Sequence, residues 1–270
     1  MKPSSRSFAR RLRFAWVPAA ALAGSTSATF ANDSGSLLHR TGLRGVTGSG
    51  KLQTESRAVG SFQAIELHAS MNLVLHASMN LVLRQGSGEA VELRADDNLL
   101  ALIETRVVSR AGGPTLEVTT KDGADYSTHN PIMVTVDVVT LSALSVRGSG
   151  NVTGDGLKAA ALKINLTGSG NVKLQRLTLD EASLKISGSG NADLAGKVAR
   201  LSLSISGSGD INTLELEADD VSISIAGSVD ASVSARKTLG VSIAGSGSVD
   251  YVGDATVKTA IAGSGRVKKR

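Results

Sequence analysis

A Gly-Ser-Gly triplet returns through the second half of this chain at nearly fixed spacing, and it constrains the fold more than any other feature. Triplets begin at Gly148, Gly168, Gly188, Gly207, Gly245 and Gly263, and a variant begins at Gly227 with Val229 in place of the last glycine. The steps are 20, 20, 19, 20, 18 and 18 residues. Such a period belongs to one small unit stacked on itself. Apolar pairs precede each triplet by two and four places: Leu144 and Val146, Ile164 and Leu166, Leu184 and Ile186, Leu203 and Ile205, Ile223 and Ile225, Val241 and Ile243. In the last copy the pair is Thr259 and Ile261. Alternation at period two turns one strand face to a core.

The expected fold is all-β: a single-stranded parallel β-solenoid (β-helix) with coils of about 20 residues and a less regular N-terminal part. Its corners are Gly148, Gly150, Gly168, Gly170, Gly188, Gly190, Gly207, Gly209, Gly227, Gly245, Gly247, Gly263 and Gly265. Glycine suits such corners because it accepts positive φ and close backbone approach. Three residues after each first glycine come Asn151, Asn171, Asn191, Asp210 and Asp230, which predict a polar ladder of stacked side chains.

The first 31 residues read as a secretory signal peptide. Lys2, Arg6, Arg10, Arg11 and Arg13 lead without an acid, an apolar stretch runs over residues 14–23, and small residues follow up to Ala28 and Ala31. That stretch is short for a membrane span. The Arg10–Arg11 pair leaves twin-arginine and general export routes open. Beyond the leader the chain holds 24 basic and 24 acidic residues, so the basic whole-chain charge is no argument for nucleic acid. Cysteine is absent, so neither disulfides nor a lipidated cysteine contribute. No later segment is long and apolar enough to span a bilayer as a helix.

Four regions follow: a signal peptide over 1–31, a flexible linker or loose first coil over 32–56, a β part over 57–267 and a basic tail over 268–270. The β part divides at 140 into irregular strands (57–140) and the regular triplets (141–267). Residues 68–75 and 76–83 are identical octapeptides. Eight residues do not fit the larger period, so one copy is expected to bulge as an extra turn or hairpin. His68 and His76, eight apart, read as a copied histidine rather than a metal pair, and His39 and His129 lack neighbours at metal-site spacing.

No catalytic, cofactor-binding or metal constellation emerges. Gly45 to Lys51 has the glycine and lysine spacing of a phosphate loop, but Leu52 stands where a magnesium-binding hydroxyl is needed. The acid pairs Asp96–Asp97 and Asp219–Asp220 are chain neighbours, which on a strand face opposite ways. The aspartates of the polar ladder lack the nine-residue period of calcium rolls. Beyond the leader only Phe62, Tyr126 and Tyr251 are aromatic, a poor supply of platforms for stacking sugars.

Several segments together carry a family likeness: Gly60–Ile65, Asn80–Gly86, Glu92–Leu99, Leu141–Gly150, Ser248–Gly253 and Ala262–Gly265. In these the chain resembles the putative auto-transporter adhesin, head GIN domain family, over roughly residues 57–267. The resemblance implies an exported, envelope-associated bacterial β-solenoid with no assigned catalytic or ligand residues. The expected function is a non-catalytic scaffold for adhesion or envelope interaction, located in the periplasm, on the outer surface or outside the cell. Its partner would be an envelope or surface protein or a glycan, with no nucleic acid and no cofactor. The alternative is a carbohydrate-binding or polysaccharide-cleaving β-helix, which a groove of charged residues from successive coils would favour. The doubled octapeptide departs from the family pattern.

Overall fold

The computed structural model describes residues 45–69, 79–121, 124 and 126–270. The expected bulge of the doubled octapeptide falls mainly on residues 70–78, outside those described. The strands, in chain order, are β1 (Val46–Thr47), β2 (Leu52–Arg57), β3 (Ala64–His68), β4 (Met79–Gln85), β5 (Ala90–Asp96), β6 (Ile103–Arg110), β7 (Gly113–Thr120), β8 (Tyr126–Ser127) and β9 (Ile132–Val138). There follow β10 (Ala143–Gly148), β11 (Asn151–Asp155), β12 (Lys158–Gly168), β13 (Asn171–Gly188), β14 (Asn191–Gly245), β15 (Ser248–Val252), β16 (Thr256–Gly263) and β17 (Arg266–Lys269).

The described residues are all-β, with 77% of them in strands. The fold class nevertheless differs from the expected single-stranded parallel β-solenoid. One 15-stranded sheet mixes parallel and antiparallel neighbours and curves into a nearly closed barrel. The antiparallel pairs are β2 with β5, β5 with β9, and β6 with β7. For β6 and β7 a tight turn is the reason. Only Ala111 and Gly112 separate Arg110 from its partner Gly113, and so short a link joins antiparallel strands alone, since parallel strands need a long crossover. β9 enters between β4 and β5, parallel to the first and antiparallel to the second.

From β10 onward the neighbours are parallel and in register with the triplets. Leu144 lies beside Ile164, Ile164 beside Leu184, and Leu184 beside Leu203. The alternating apolar residues of these strands are buried in one continuous core, where burial contributes about 1.5–3 kcal/mol per large aliphatic side chain. The one-residue shortening between Gly188 and Gly207 is a bulge: Leu174 pairs with Leu194, but Leu177 pairs with Gly196. The extra residue leaves Arg176 at φ 52, and its guanidinium forms an ion pair with Asp155.

The last apolar row departs from expectation. Ile261 is 42% exposed and Thr259 is exposed as well. Their strand, β16, pairs with β14 on one side and, among the described residues, with no strand on the other. Period-two alternation selects a face, but a face is buried only where neighbouring strands and side chains cover it.

Candidate functional site

The corner glycines stack one over the next. Gly148, Gly168, Gly188, Gly207, Gly227, Gly245 and Gly263 all have positive φ, between 99° and 138°. A Cβ on Gly168 would overlap the Gly148 carbonyl oxygen, and the same holds at each step to Gly263 over Gly245. The same carbonyls accept the next serine amide, as in Ser169 N–H to Gly148 O at 3.0 Å and Ser264 N–H to Gly245 O at 3.0 Å. The second glycines, Gly150, Gly170, Gly190, Gly209, Gly247 and Gly265, do not have left-handed backbone, yet a Cβ there would strike a neighbouring carbonyl or a core side chain. Val229 occupies that place in the variant copy and is buried in the core.

An earlier corner lacks glycine. Ala69 lies beneath Gly148 and Met79 beneath Gly150, while His68 pairs with Arg147 and Asn80 with Asn151. His68-Ala69, then Ser-Met79-Asn80, therefore matches Arg147-Gly-Ser-Gly-Asn151. The octapeptide was doubled at this corner: eleven residues separate His68 from Asn80, against three between Arg147 and Asn151.

Four amides form a ladder. Asn151 Nδ2 donates to Asn80 Oδ1 (3.0 Å), Asn171 Nδ2 to Asn151 Oδ1 (2.8 Å) and Asn191 Nδ2 to Asn171 Oδ1 (3.0 Å). The Asp210 backbone amide donates to Asn191 Oδ1 at 2.8 Å. Asp230 pairs in register with Ser248 farther along the sheet.

The densest charge cluster joins strands far apart in sequence. Parallel pairing sets Glu66 of β3 beside Glu117 of β7 and beside Ser145 of β10. His68, two residues along β3, shares the face of Glu66. Both glutamates are buried. Three guanidiniums compensate them. Arg106 Nε donates to Glu117 Oε2 at 2.8 Å and Arg147 lies 2.9 Å from Glu66 Oε1. Arg110 lies 3.4 Å from Glu66 and 3.5 Å from Glu117. The Arg106 bond holds the Glu117 carboxyl below the usual carboxylate range despite the opposing effect of burial, and the charges of Arg106, His68 and Arg110 add to the pull. Sequence reading missed this cluster. Its one local signal is the Glu66–His68 spacing, since Glu117 arrives through pairing across about fifty residues.

Two grooves run over the outside of the sheet. One, of about 360 Å³, adjoins the cluster and is lined by Ser145, Arg147, Asn165, Thr167, Lys185 and Ser187. The other, of about 370 Å³, is lined by Glu181, Arg200, Asp220, Thr238 and neighbouring serines. Its charges are largely spent on each other: Arg200 binds Glu181, and Thr238 Oγ1 donates to Asp220 at 2.7 Å. Asp219 accepts from Lys237, which lowers its pKa.

The phosphate-loop-like segment lies against acids. Ser49 Oγ donates to Asp97 at 2.5 Å, and Lys51 Nζ is 3.9 Å from the same carboxylate. Asp96 is buried and accepts from Thr128 Oγ1 and Asn130 Nδ2, each at 2.6 Å. The Thr128 bond is the main cause of its lowered pKa, opposed by burial and aided by Asn130 and the Gly50 amide. These carboxylates would repel a phosphate.

Fold and surface together define an all-β protein whose features of interest lie on open sheet faces. The chain belongs to the family described as putative auto-transporter adhesin, head GIN domain, which matches residues 62–255. Among solved structures, a putative adhesin from Bacteroides fragilis is 26% identical with a TM-score of 0.75; the match covers 84% of this chain and all of that one. A putative lipid binding protein from Parabacteroides distasonis is 25% identical with a TM-score of 0.67, over 83% of this chain and 99% of that one. A putative adhesin from Parabacteroides merdae, 24% identical with a TM-score of 0.63 over 83% and 98%, shares the fold. No curated protein matches the sequence. Among the described residues, no helix is long and apolar enough to cross a membrane.

Proposed function

We propose that this chain is an exported, non-catalytic β scaffold that mediates adhesion or another contact at the bacterial envelope through its exposed sheet faces. The observation that carries the reading is the character of one such face. Ser202, Ser204, Ser206, Ser222, Ser224, Ala226, Ser242 and Ala244 are exposed in succession, and Phe62, Tyr126 and Tyr251 are buried or half-buried elsewhere. A broad surface of small side chains suits extended contact with a partner, whereas sugar cleavage calls for a cleft with unpaired carboxylates placed around one bond. Membership of a family named for adhesins supports the reading, as does the acid-free sequence of residues 1–31, with a basic lead and an apolar stretch over 14–23.

One observation favours a second reading, glycan binding: Glu181, Arg200 and Asp220, from successive copies of the triplet unit, line one groove. Cell fractionation combined with protease treatment of intact cells tests the main reading. The expected result is a chain shortened by its leader and digested from outside. A full-length chain confined to the cytoplasm would refute it. A specific hit on a glycan array would move the second reading ahead.

A further inference from the structure

We propose that Glu66, His68 and Glu117 form a binding site for a divalent transition-metal ion of the zinc class. The three donor atoms all lie within 4.8 Å of one another. His68 Nε2 is 3.1 Å from Glu66 Oε1 and 3.8 Å from Glu117 Oε1. Donors about 2.0–2.1 Å from a tetrahedral zinc ion sit about 3.3–3.5 Å apart, so these separations bracket the required spacing. His68 Nε2 is buried and has no hydrogen-bond partner, although two carboxylate oxygens face it. A cation shared by the three groups satisfies all of them at once. One imidazole with two carboxylates, leaving a fourth position for water, is a donor set that zinc accepts.

The arginines set the terms of binding. Arg106 holds Glu117 by Oε2 and leaves Oε1 to face His68, as an outer partner of a ligating carboxylate does. Arg110 contacts Glu117 Oε1 and Arg147 contacts Glu66 Oε1, the two oxygens that the metal would use. Their side chains are 51% and 58% exposed, so both can swing into solvent. Exchanging two monovalent guanidiniums for one dication leaves the local charge unchanged. Arg110 and Arg147 therefore compete with the metal, while Arg106 supports it.

The test uses the full chain with Zn²⁺ in calorimetry and Co²⁺ in visible absorption, where a tetrahedral site gives an intense ligand-field band. One ion per chain is expected. His68→Ala and Glu117→Gln should each weaken it at least about a hundredfold, beyond the ten- to hundredfold typical of outer-shell losses. The double variant Arg110→Ala/Arg147→Ala should tighten it, about tenfold if each guanidinium competes as an exposed ion pair does. Replacing His39, His76 and His129 together should leave it unchanged. Should Glu117→Gln fail to fold, as judged by circular dichroism, the half-exposed His68→Ala decides alone. Absence of Zn²⁺ binding, binding that survives His68→Ala, or weaker binding in the double arginine variant would each overturn the proposal.

Discussion

Alanine at Gly188 should be among the most damaging single-methyl additions in this protein, and the structure separates the two reasons. Gly188 has φ 129°, where an L side chain is strained, and an added Cβ would overlap the Gly168 carbonyl oxygen and lie 3.1 Å from its carbon. Sparsely populated backbone costs about 1–3 kcal/mol, and overpacking costs about 1–3 kcal/mol, so Gly188→Ala should lose about 2–6 kcal/mol. Three other glycines isolate the contributions. Gly156 has φ 72° with open space around it, so alanine there carries the backbone cost alone. Gly170 has no left-handed backbone, but its Cβ would overlap the Gly150 carbonyl oxygen and lie 3.3 Å from Leu166. Gly60 has neither burden, and alanine there should be neutral or stabilise by about 0.4–1 kcal/mol through the unfolded chain. Urea unfolding of the four variants, with m-values compared to exclude denatured-state effects, gives the ranking. A Gly188→Ala loss no larger than that of Gly156→Ala would refute the argument that stacked corners are held by carbonyl contact.

Other outcomes follow from the same geometry. Deleting residues 70–77 leaves His68-Ala69-Ser78-Met79-Asn80, a connection as short as the later corners; the fold should persist with a melting temperature unchanged or raised, because a shorter connection has a lower closure cost. Asn171→Ala removes both an amide donor and an acceptor from the ladder and should cost about 1–3 kcal/mol by urea unfolding, the net value of two such bonds. Glu117 and Asp96 have folded-state pKa values below their unfolded ones. Their stabilisation is therefore present above the unfolded pKa of about 4 and is lost as pH falls through the folded values. Urea midpoints should fall from pH 5 to pH 3, and the fall should be shallower in Glu117→Gln; a midpoint that rises on acidification would contradict the ion-pair assignment.

The sequence made the strand faces and corners legible because they are local. Period two fixes which way Leu144, Val146, Ile164 and Leu166 point, and a glycine at each bend reports a backbone that other residues avoid. Pairing between strands distant in sequence is not local. Gly112 and Gly113 read as a turn, but nothing in them says that β7 must also lie beside β3, parallel to it. For the same reason Glu117 could not be joined to Glu66 and His68 in advance. The corner at Ala69 and Met79 was hidden twice, by its lack of glycine and by the inserted octapeptide, and with it went Asn80, the first rung of the amide ladder. Ile261 carried the right period and the wrong environment, since burial requires a neighbour that periodicity does not supply.

The absence of cysteine gives a direct measurement of where the small-residue face is displayed. Ser224→Cys places one exposed thiol on that face, and intact cells can be treated with a maleimide that does not cross membranes. Labelling is expected before lysis, in the leader-free form of the chain. A thiol that reacts only once the cytoplasm is opened would contradict it.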